Sequence, residues 1–225
     1  MLRIAIDGPG GAGKSTLAKA LAKKLGMIYV DTGALYRTVG LFVDRNGIDP
    51  ANEEDVTRII NGLDVSIAYE NGNQIIYMNS EKITDEIRTP KMSMYASAVS
   101  AIPSVRAFLL DTQRKIAATQ SVIMDGRDIG TVILPDAEVK IFLTADPKER
   151  ARRRYEELIE KGKNVTYESV LEEMNTRDAN DSQRKIAPCV PAADAVKFDN
   201  TEYSLEQSIA HVIEIIGDKI YLLSK

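Results

Sequence analysis

A glycine-rich segment, residues 8–16, limits the possible folds of this chain more than any other feature. It fits the pattern G-x-x-x-x-G-K-[ST], in which backbone N–H groups surround the phosphates of a nucleotide. Glycine is needed there because a Cβ would block the phosphate oxygens where the backbone turns toward them. An apolar run at residues 2–6 precedes the segment, and apolar residues at helical spacing follow it. This order of strand, loop and helix predicts a phosphate-binding loop, with these contact residues: Gly8, Pro9, Gly10, Gly11, Ala12, Gly13, Lys14, Ser15 and Thr16.

Side chains in and beyond this loop have the chemistry needed to hold a magnesium nucleotide. In the pattern, Lys14 reaches the β- and γ-phosphates, and the hydroxyl of Ser15 binds Mg²⁺. Asp125 follows an apolar run at 122–124, which is where a carboxylate supports Mg²⁺ and its water shell. The alternative for Asp125 is a plain turn residue, and the phosphate-binding loop favours the metal site. We therefore predict Ser15 and Asp125 as metal ligands.

The composition excludes several classes of protein. The 225 residues carry a net charge of −4, which argues against a protein that binds duplex nucleic acid. No apolar run approaches the roughly 20 residues that cross a bilayer, and the start of the chain lacks the layout of a signal peptide. Cys189 is the only cysteine and His211 the only histidine, so an intrachain disulfide and the usual zinc ligands are excluded. We expect a single cytoplasmic domain that is monomeric and has no nucleic-acid or membrane partner.

Apolar runs and helical patterns alternate along most of the chain, which is typical of an α/β fold with a parallel sheet. Between two helical regions, alternating residues from Val65 to Tyr77 flank the turn sequence Asn71-Gly72, which predicts a hairpin, and a third short strand is expected near 82–84. The fold class is therefore α/β: a five-stranded parallel sheet flanked by helices, with a small antiparallel insert. Besides the strand that precedes the phosphate loop, we expect four strands, near residues 27–30, 122–124, 139–143 and 196–199.

Two arginines lie in the first turn of a predicted helix, the end where the helix dipole disfavours a cation. Arg37 either faces an anion there or is simply solvated, and Arg106 has the same unfavourable position. Four further arginines fall within residues 150–154. Such a cluster is usually a solvated face or a nucleic-acid patch. Beside a nucleotide loop, it is better interpreted as the base of a mobile lid.

Arg177, Asp181 and Arg184 are spaced to project on one side of a predicted helix. Such a row is either an ion-pair ladder on the surface or a clamp around a substrate. The sequence alone leaves both interpretations open.

Three separated motifs follow one another along the chain, at residues 31–37, 125–131 and 186–188. Together with the phosphate loop they resemble the motifs of bacterial cytidylate kinases, a family of P-loop nucleoside monophosphate kinases. The similarity runs nearly from end to end and includes the insert, which in that family enlarges the monophosphate-binding region. The resemblance implies transfer of the γ-phosphoryl of ATP to CMP or dCMP with Mg²⁺. It also implies a core (about 1–34, 104–149 and 185–225), an acceptor-binding region (about 35–103) and a lid (about 150–184).

The resemblance further implies a role for individual side chains. The expected cytosine contacts are Ser97, Arg106 and Asp128. The expected acceptor-phosphate contacts are Arg37, Arg127 and Arg184, and the expected ribose contacts are Tyr36, Arg177 and Asp181. Arg154, accompanied by Arg150 or Arg153, would close on the transferring phosphate, and the implied catalytic residues are Lys14, Arg127, Arg154 and Arg184. Thr32 stands where the family frequently has serine, and because the hydroxyl is kept we expect it to contact the substrate.

Other functions remain to be weighed against this one. A guanine-nucleotide switch should carry an [NT]-K-x-D motif, and the sequence contains none. A nucleic-acid-dependent ATPase is disfavoured by the acidic balance and the small size. The nearest alternative is a kinase for another nucleoside monophosphate such as UMP. A carboxylate at Asp128 argues against UMP, because it accepts a hydrogen bond from the exocyclic amine that cytosine has and uracil lacks.

Overall fold

The computed structural model describes residues 1–70 and 72–223, so Asn71 of the expected hairpin turn lies outside the described residues. The helices are α1 (Lys14–Leu25), α2 (Thr32–Arg45), α3 (Glu53–Ile59), α4 (Pro90–Val99), α5 (Pro103–Thr119), α6 (Pro147–Glu160), α7 (Tyr167–Gln183) and α8 (Leu205–Leu223). The strands are β1 (Arg3–Asp7), β2 (Ile28–Asp31), β3 (Val65–Glu70), β4 (Asn73–Met78), β5 (Glu81–Lys82), β6 (Val122–Gly126), β7 (Val139–Thr144) and β8 (Val196–Asp199).

Five strands form one parallel sheet in the order β2-β6-β1-β7-β8. The chain builds β2 on one side of β1, returns through β6, and then adds β7 and β8 on the other side. The strand order therefore reverses at β1, and ligands of such sheets bind outside the carboxyl ends of the strands at this point. The predicted α/β class and the five-stranded parallel sheet are confirmed.

The strand register brings three carboxylates to one edge of this sheet. Asp7 of β1 pairs with Gly126 of β6, and Asp31 of β2 pairs with Asp125 of β6. Since these strands are parallel, their carboxyl ends meet at the same edge, where the phosphate loop also begins. Asp125 lies within β6, which continues to Gly126, rather than after the end of the strand as the sequence suggested.

Residues 65–82 form the predicted antiparallel insert, with the strands in the order β3-β4-β5. Its third strand is Glu81–Lys82, slightly earlier than expected. The insert packs on α2, α4 and α5 around a hydrophobic cluster that reaches from Ala34 to Leu109. Separate clusters cover the two faces of the main sheet. The insert and its supporting helices therefore have a core of their own beside the sheet.

Two glycines of the phosphate loop are dictated by local geometry. A Cβ on Gly8, whose φ is +143°, would lie 1.9 Å from the backbone oxygen of Leu143 on β7. Gly13 has a φ of +85° immediately before α1. Only glycine adopts such backbone conformations at little cost, so the loop can turn from β1 into the helix without strain.

Short polar side chains cap α6 and α7 at their N-termini. The side chain of Asp146 accepts hydrogen bonds from the first turn of α6, and Thr166 caps α7 in the same way. Arg184, which helical spacing placed on α7, is the residue after the last helical one. Within 1–70 and 72–223, no single helix is long and apolar enough to span a membrane, although α4 and α5, bent by 102°, pass that test as a pair on length and composition.

Candidate active site

The phosphate loop forms one wall of a large cavity. Its backbone from Gly11 to Thr16 opens onto a space of about 860 Å³, whose other walls include Arg37, Arg153 and Arg154. A second cavity of about 260 Å³ joins Lys14 and Ser15 to the side chains of Asp125, Arg127 and Arg177. The two cavities share Lys14, Ser15 and Arg37 in their walls and therefore adjoin each other.

Lys14 is buried in the loop and donates a hydrogen bond from Nζ to the carbonyl oxygen of Pro9, at 2.7 Å. Burial, and then the neighbouring Arg127 guanidinium, lower the pKa of Lys14 to about 7. Such a depressed pKa indicates that the groups around the ammonium do not neutralise its positive charge. A triphosphate in the cavity would supply that charge.

Ser15 and Asp125 are in direct contact. The Ser15 hydroxyl donates to Oδ2 of Asp125 at 2.7 Å, and the Tyr29 hydroxyl donates to Oδ1 at 2.8 Å. Burial, and then the proximity of Asp31, raise the pKa of Asp125. A hydroxyl and a carboxylate at this edge of the cavity are the hard oxygen ligands that Mg²⁺ prefers. No group of three or more histidine, cysteine or acidic side chains that could hold a metal occurs among the residues described, so phosphate and water would complete its coordination.

Asp128 lies between two arginines. Arg106 of α5 donates to its Oδ2, and Arg184 Nη2 approaches its Oδ1 at 3.5 Å. Both arginines also contact Ser100, Arg106 through the backbone oxygen at 3.2 Å and Arg184 through the hydroxyl at 2.9 Å. The partner that Arg106 lacked in the sequence is thus Asp128. Burial raises the pKa of Asp128, and the two arginines act in the opposite direction.

Asp181 is buried, which excludes the surface-ladder interpretation of its row. Its Oδ2 accepts from Arg127 Nε at 2.8 Å, and its Oδ1 accepts from the hydroxyl of Ser97 at 3.1 Å. Arg177 Nε lies 4.0 Å from the same carboxylate and is buried with no hydrogen-bond partner. Burial, and then the neighbouring Arg127, lower the pKa of Arg177 to about 10. Helix α7 thus brings an incompletely neutralised cation to the cavity.

Arg37 is held by the residue that caps its own helix. Asp31 accepts from the backbone N–H of Ala34 at 2.9 Å and from Arg37 Nη2 at 2.8 Å. Burial opposes ionisation of Asp31, but the Arg37 guanidinium keeps the pKa of Asp31 below its usual value. The Nε of Arg37 is buried without a partner. The anion that the sequence pattern suggested for Arg37 is therefore Asp31 in this structure, with one donor still free.

The arginine cluster at 150–154 separates into four environments. Arg150 is buried and donates to the backbone oxygens of Ala145 and Gly10. Arg153 donates to the backbone of Asn200 and of the following residue, and Arg152 pairs on the surface with glutamates of its own helix. Arg154 pairs with Glu157 at 2.7 Å and lines both phosphate cavities. Of the four, Arg154 has the position expected for a group that closes on phosphate.

The remaining predicted residues occupy varied positions. The hydroxyl of Thr32 donates to the backbone oxygen of Asp125 at 2.8 Å. Tyr36 is buried, with the Arg106 guanidinium 5.6 Å from its ring centre. Ten of the predicted substrate-binding residues surround the phosphate cavity or a smaller cavity of about 50 Å³ beside it: Thr32, Tyr36, Arg37, Ser97, Arg106, Arg127, Asp128, Arg177, Asp181 and Arg184. Gly8, Pro9 and Ala12 belong to the loop framework and do not line these cavities.

Sequence reasoning missed several polar residues that support the site. Asp7 accepts from the backbone N–H groups of Ile129 and Gly130, both at 2.7 Å, and so fixes the turn that carries Asp128. Asp178 accepts from the backbone N–H of Gly10 at 3.3 Å. The position of Asp7 at the end of β1 was a usable signal. The partner of Asp178 lies 168 residues away, and the sequence carries no sign of it.

Comparison with known proteins places the chain in a family. A family model described as cytidylate kinase matches residues 4–218. The chain belongs to the cytidylate kinase family. A relative named cytidylate kinase from Caldicellulosiruptor bescii is 49% identical over 214 residues, which cover 95% of each chain. Another of the same name from Thermosipho melanesiensis is 48% identical and covers 98% of this chain and 99% of its own.

The similarity to solved structures concerns the fold alone. An uncharacterized protein from Eubacterium ventriosum superposes with a TM-score of 0.51 at 14% identity, covering 96% of this chain and 99% of that one. The family resemblance deduced from the three motifs is confirmed. The chain thus combines the sequence of a cytidylate kinase with the phosphate loop and buried arginines described above.

Proposed function

We propose that this chain transfers the γ-phosphoryl group of ATP to CMP or dCMP, giving ADP and CDP or dCDP. The observation that carries the proposal is the meeting of two sites in one space: a phosphate-binding loop with Lys14, and a buried set of arginine–aspartate pairs around Asp128 and Asp181. Membership of the cytidylate kinase family supports the same acceptor. The reaction requires no covalent intermediate, because positioning and charge stabilisation supply most of the acceleration.

Cytosine recognition is assigned to Asp128, Arg106 and Ser97. A carboxylate accepts from the exocyclic amine of cytosine, and a guanidinium donates to the acceptor atoms of the same edge. Asp128 and Arg106 are buried and paired with each other, and the half-buried Ser97 donates to Asp181, so a base that leaves one of these groups unpaired is bound at a cost. Uracil presents a carbonyl where cytosine has the amine and is rejected for this reason. Tyr36, Arg177 and Asp181 contact the ribose, and Thr32 orients the backbone beside them.

The donor nucleotide binds along the phosphate loop. Residues 8–16 turn their backbone toward the phosphates, and Lys14 neutralises the β- and γ-phosphate charge. Ser15 and Asp125 fit a magnesium ion by their chemistry and contact, and a magnesium ion there would neutralise charge on the β- and γ-phosphate oxygens. Arg154 closes over the transferring group from the lid.

The acceptor phosphate is held by Arg37, Arg127 and Arg184. Their side chains converge from α2, from the loop after β6 and from the end of α7, which together surround the space beside Lys14. An acceptor phosphate oxygen is already deprotonated near neutral pH, so no general base is assigned. Lid closure excludes water, which would otherwise hydrolyse ATP. We also propose the monomeric, cytoplasmic state expected from the sequence, with no nucleic-acid or membrane partner.

The experiment that tests this function is the acceptor preference of Asp128→Ala. Removal of the carboxylate should lower the ratio of kcat/KM for CMP to that for UMP about tenfold or more, because the group that distinguishes the two bases is gone. The control is Asp136→Ala, which removes an exposed carboxylate paired with Arg3 far from the site. An unchanged ratio in Asp128→Ala would contradict the base assignment.

A second variant separates recognition from loss of folding. Asp128→Ala leaves two arginines buried without their partner, which is destabilising in itself. Asp128→Asn keeps the shape and offers an amide donor that matches the carbonyl of uracil. We expect Asp128→Asn to shift the preference toward UMP while remaining folded by circular dichroism.

A further inference from the structure

A glutamine of the insert joins the main sheet beside the active site. The side chain of Gln74, on β4, accepts from the backbone N–H of Asp31 at 2.8 Å through Oε1. Its Nε2 donates to the backbone oxygen of Asp31 at 3.3 Å. Gln74 is 9% exposed, so both bonds form away from bulk water. One side chain from the insert thereby satisfies both backbone polar groups of one residue of β2.

These two bonds occupy the free edge of the sheet. β2 is an edge strand, paired with β6 on one side only. The backbone groups of an edge strand that face away from its neighbour need other partners. Gln74 supplies them as a neighbouring strand would, at the last residue of β2. The end of that strand is therefore fixed by the insert.

The side chain of Asp31 links this restrained strand end to Arg37, a residue of the proposed acceptor-phosphate site. Its Oδ1 caps α2 through the N–H of Ala34, and its Oδ2 holds Arg37 Nη2. A Cβ on Gly33 would lie 3.1 Å from Arg37 Nη1 and 3.2 Å from Asp31 Oδ1, so the guanidinium lies closely over the backbone of this turn. The position of Asp31 thus determines the orientation of the Arg37 guanidinium.

The far side of Asp31 is an open cavity. A space of about 470 Å³ between α1 and the insert is lined by Asp31, Gln74, Tyr69 and Arg88, among others. Asp31 therefore borders open space on that side, and Gln74 contacts its backbone at the edge of this space. The two hydrogen bonds of Gln74 are the direct polar restraint on the backbone of Asp31 from the insert.

We propose that Gln74 is a positioning residue for the acceptor phosphate, acting through Asp31 on Arg37. The proposal rests on the proposed function, in which Arg37 binds the phosphate of CMP. It gives the antiparallel insert a task in the reaction: the insert holds the end of β2 so that Arg37 meets the acceptor in one orientation. Gln74 does not touch substrate.

The test is a double-mutant cycle between Gln74→Met and Arg37→Ala. Methionine keeps the length of the side chain and removes both hydrogen bonds. We expect Gln74→Met to lower kcat/KM for CMP about tenfold while the KM for ATP stays within about twofold. In the Arg37→Ala background the same change should lower kcat/KM less than about twofold, because the residue through which it acts is absent.

The control lies on the same insert. Glu81→Gln removes the charge of an exposed partner of Arg45 and should leave the kcat/KM for CMP and the KM for ATP unchanged. Gln74→Glu is a second variant that keeps the acceptor for Asp31 N–H, loses the donor, and adds a negative charge near the Asp31 carboxylate. It should lower kcat/KM for CMP at least as much as Gln74→Met.

Each outcome has a definite meaning. An equal loss from Gln74→Met in both backgrounds would indicate a merely structural role and overturn the proposal. A wild-type kcat/KM for CMP in Gln74→Met would also overturn it. If Arg37→Ala itself bound and phosphorylated CMP normally, the assignment of Arg37 in the proposed function would fail instead, and the two failures are therefore distinguishable.

Discussion

Several ionisable side chains of the site lie in surroundings that disfavour their charged forms. Lys14 and Asp7 are buried and Arg177 is half-buried, and the pKa of each is displaced in the direction that favours the neutral form. For Asp7 the cause is burial, opposed by the backbone N–H groups of Gly130 and Ile129, and the pKa is about 7. Such displacements lower the stability of the ligand-free fold and are typical of residues retained for function.

The depressed pKa of Lys14 predicts that ATP binding takes up a proton. In the free protein Lys14 loses its charge as the pH rises through about 7, whereas a lysine beside a triphosphate keeps it toward the ordinary value of 10.5. Binding at pH 8.5 should therefore be accompanied by uptake of up to one proton. Isothermal titration calorimetry in two buffers of different ionisation enthalpy measures this uptake.

The matched control for this prediction is Lys14→Arg. A guanidinium remains charged at all these pH values, so the uptake should disappear. Equal binding enthalpies in the two buffers for the wild-type protein would show that Lys14 is already charged in the free state, contrary to the geometry described here.

Local sequence signals identified the residues whose partners are near in the chain or set by a motif. Lys14, Ser15 and Asp125 follow from the phosphate-loop pattern and from a carboxylate on an apolar strand, and the structure brings Ser15 and Asp125 into contact. Gln74 and Asp178 had no such signal. Their partners lie 43 and 168 residues away, and only the folded chain brings them together.

At the scale of elements, hydrogen bonds fasten α6 and α7, the proposed lid, to the phosphate loop at Gly10. Asp178 of α7 accepts from Arg150 Nη1 of α6 at 2.5 Å and from the N–H of Gly10 at 3.3 Å. Arg150 Nη1 also donates to the carbonyl oxygen of Gly10 at 2.9 Å. The three residues join two helices of the lid to the loop that holds the phosphates.

This fastening predicts that Asp178→Ala loosens the lid in the nucleotide-free protein. Loss of the carboxylate leaves Gly10 N–H and the Arg150 guanidinium without this partner, so opening of the lid should cost less free energy. Amide hydrogen exchange in residues 147–183 should become several times faster. Glu156→Ala, which breaks an exposed pair with Arg152, serves as the control and should leave the exchange unchanged. Identical exchange in Asp178→Ala and the wild type would contradict the fastening.

The sequence predicted most elements correctly and some of their ends less well. Caps such as Asp146 and Thr166 act within three residues, so their signals are local and reliable. The end of α7 was harder to predict. Arg184 continues the helical spacing in the sequence, but its side chain contacts Asp128 and Ser100 on other elements. Tertiary contacts decide such ends.

At the scale of the whole molecule, the proposed acceptor site lies where α4, the loop after β6 and α7 meet. Ser97 comes from α4, Asp128 from the loop after β6, and Asp181 from α7. The cavity among them encloses only about 50 Å³, far less than the roughly 300 Å³ or more of most small-molecule sites. The side chains that would bind CMP are paired with one another in this space. We therefore expect acceptor binding to move these three segments apart and to exchange the internal pairs for contacts with the nucleotide.

The fold class and the approximate positions of the strands could be deduced from alternation along the chain, but the strand order and this closed acceptor site could not. Sequence patterns show which residues a motif contains and not how three distant segments approach one another. The motifs, the helical spacing and the family resemblance nevertheless named all of the arginines and aspartates that line the small cavity: Arg106, Arg127, Arg177, Arg184, Asp128 and Asp181.

The central claim is that ATP and a cytosine monophosphate react in the space between Lys14 and Asp128. The most direct measurement is the rate of ADP release from ATP with CMP, dCMP, UMP and AMP as separate acceptors, with product identity verified by ³¹P NMR. We predict that CMP or dCMP has the highest kcat/KM, with UMP at least about tenfold lower and AMP at background. A preference for UMP or AMP, or ADP release that no acceptor stimulates, would contradict the account.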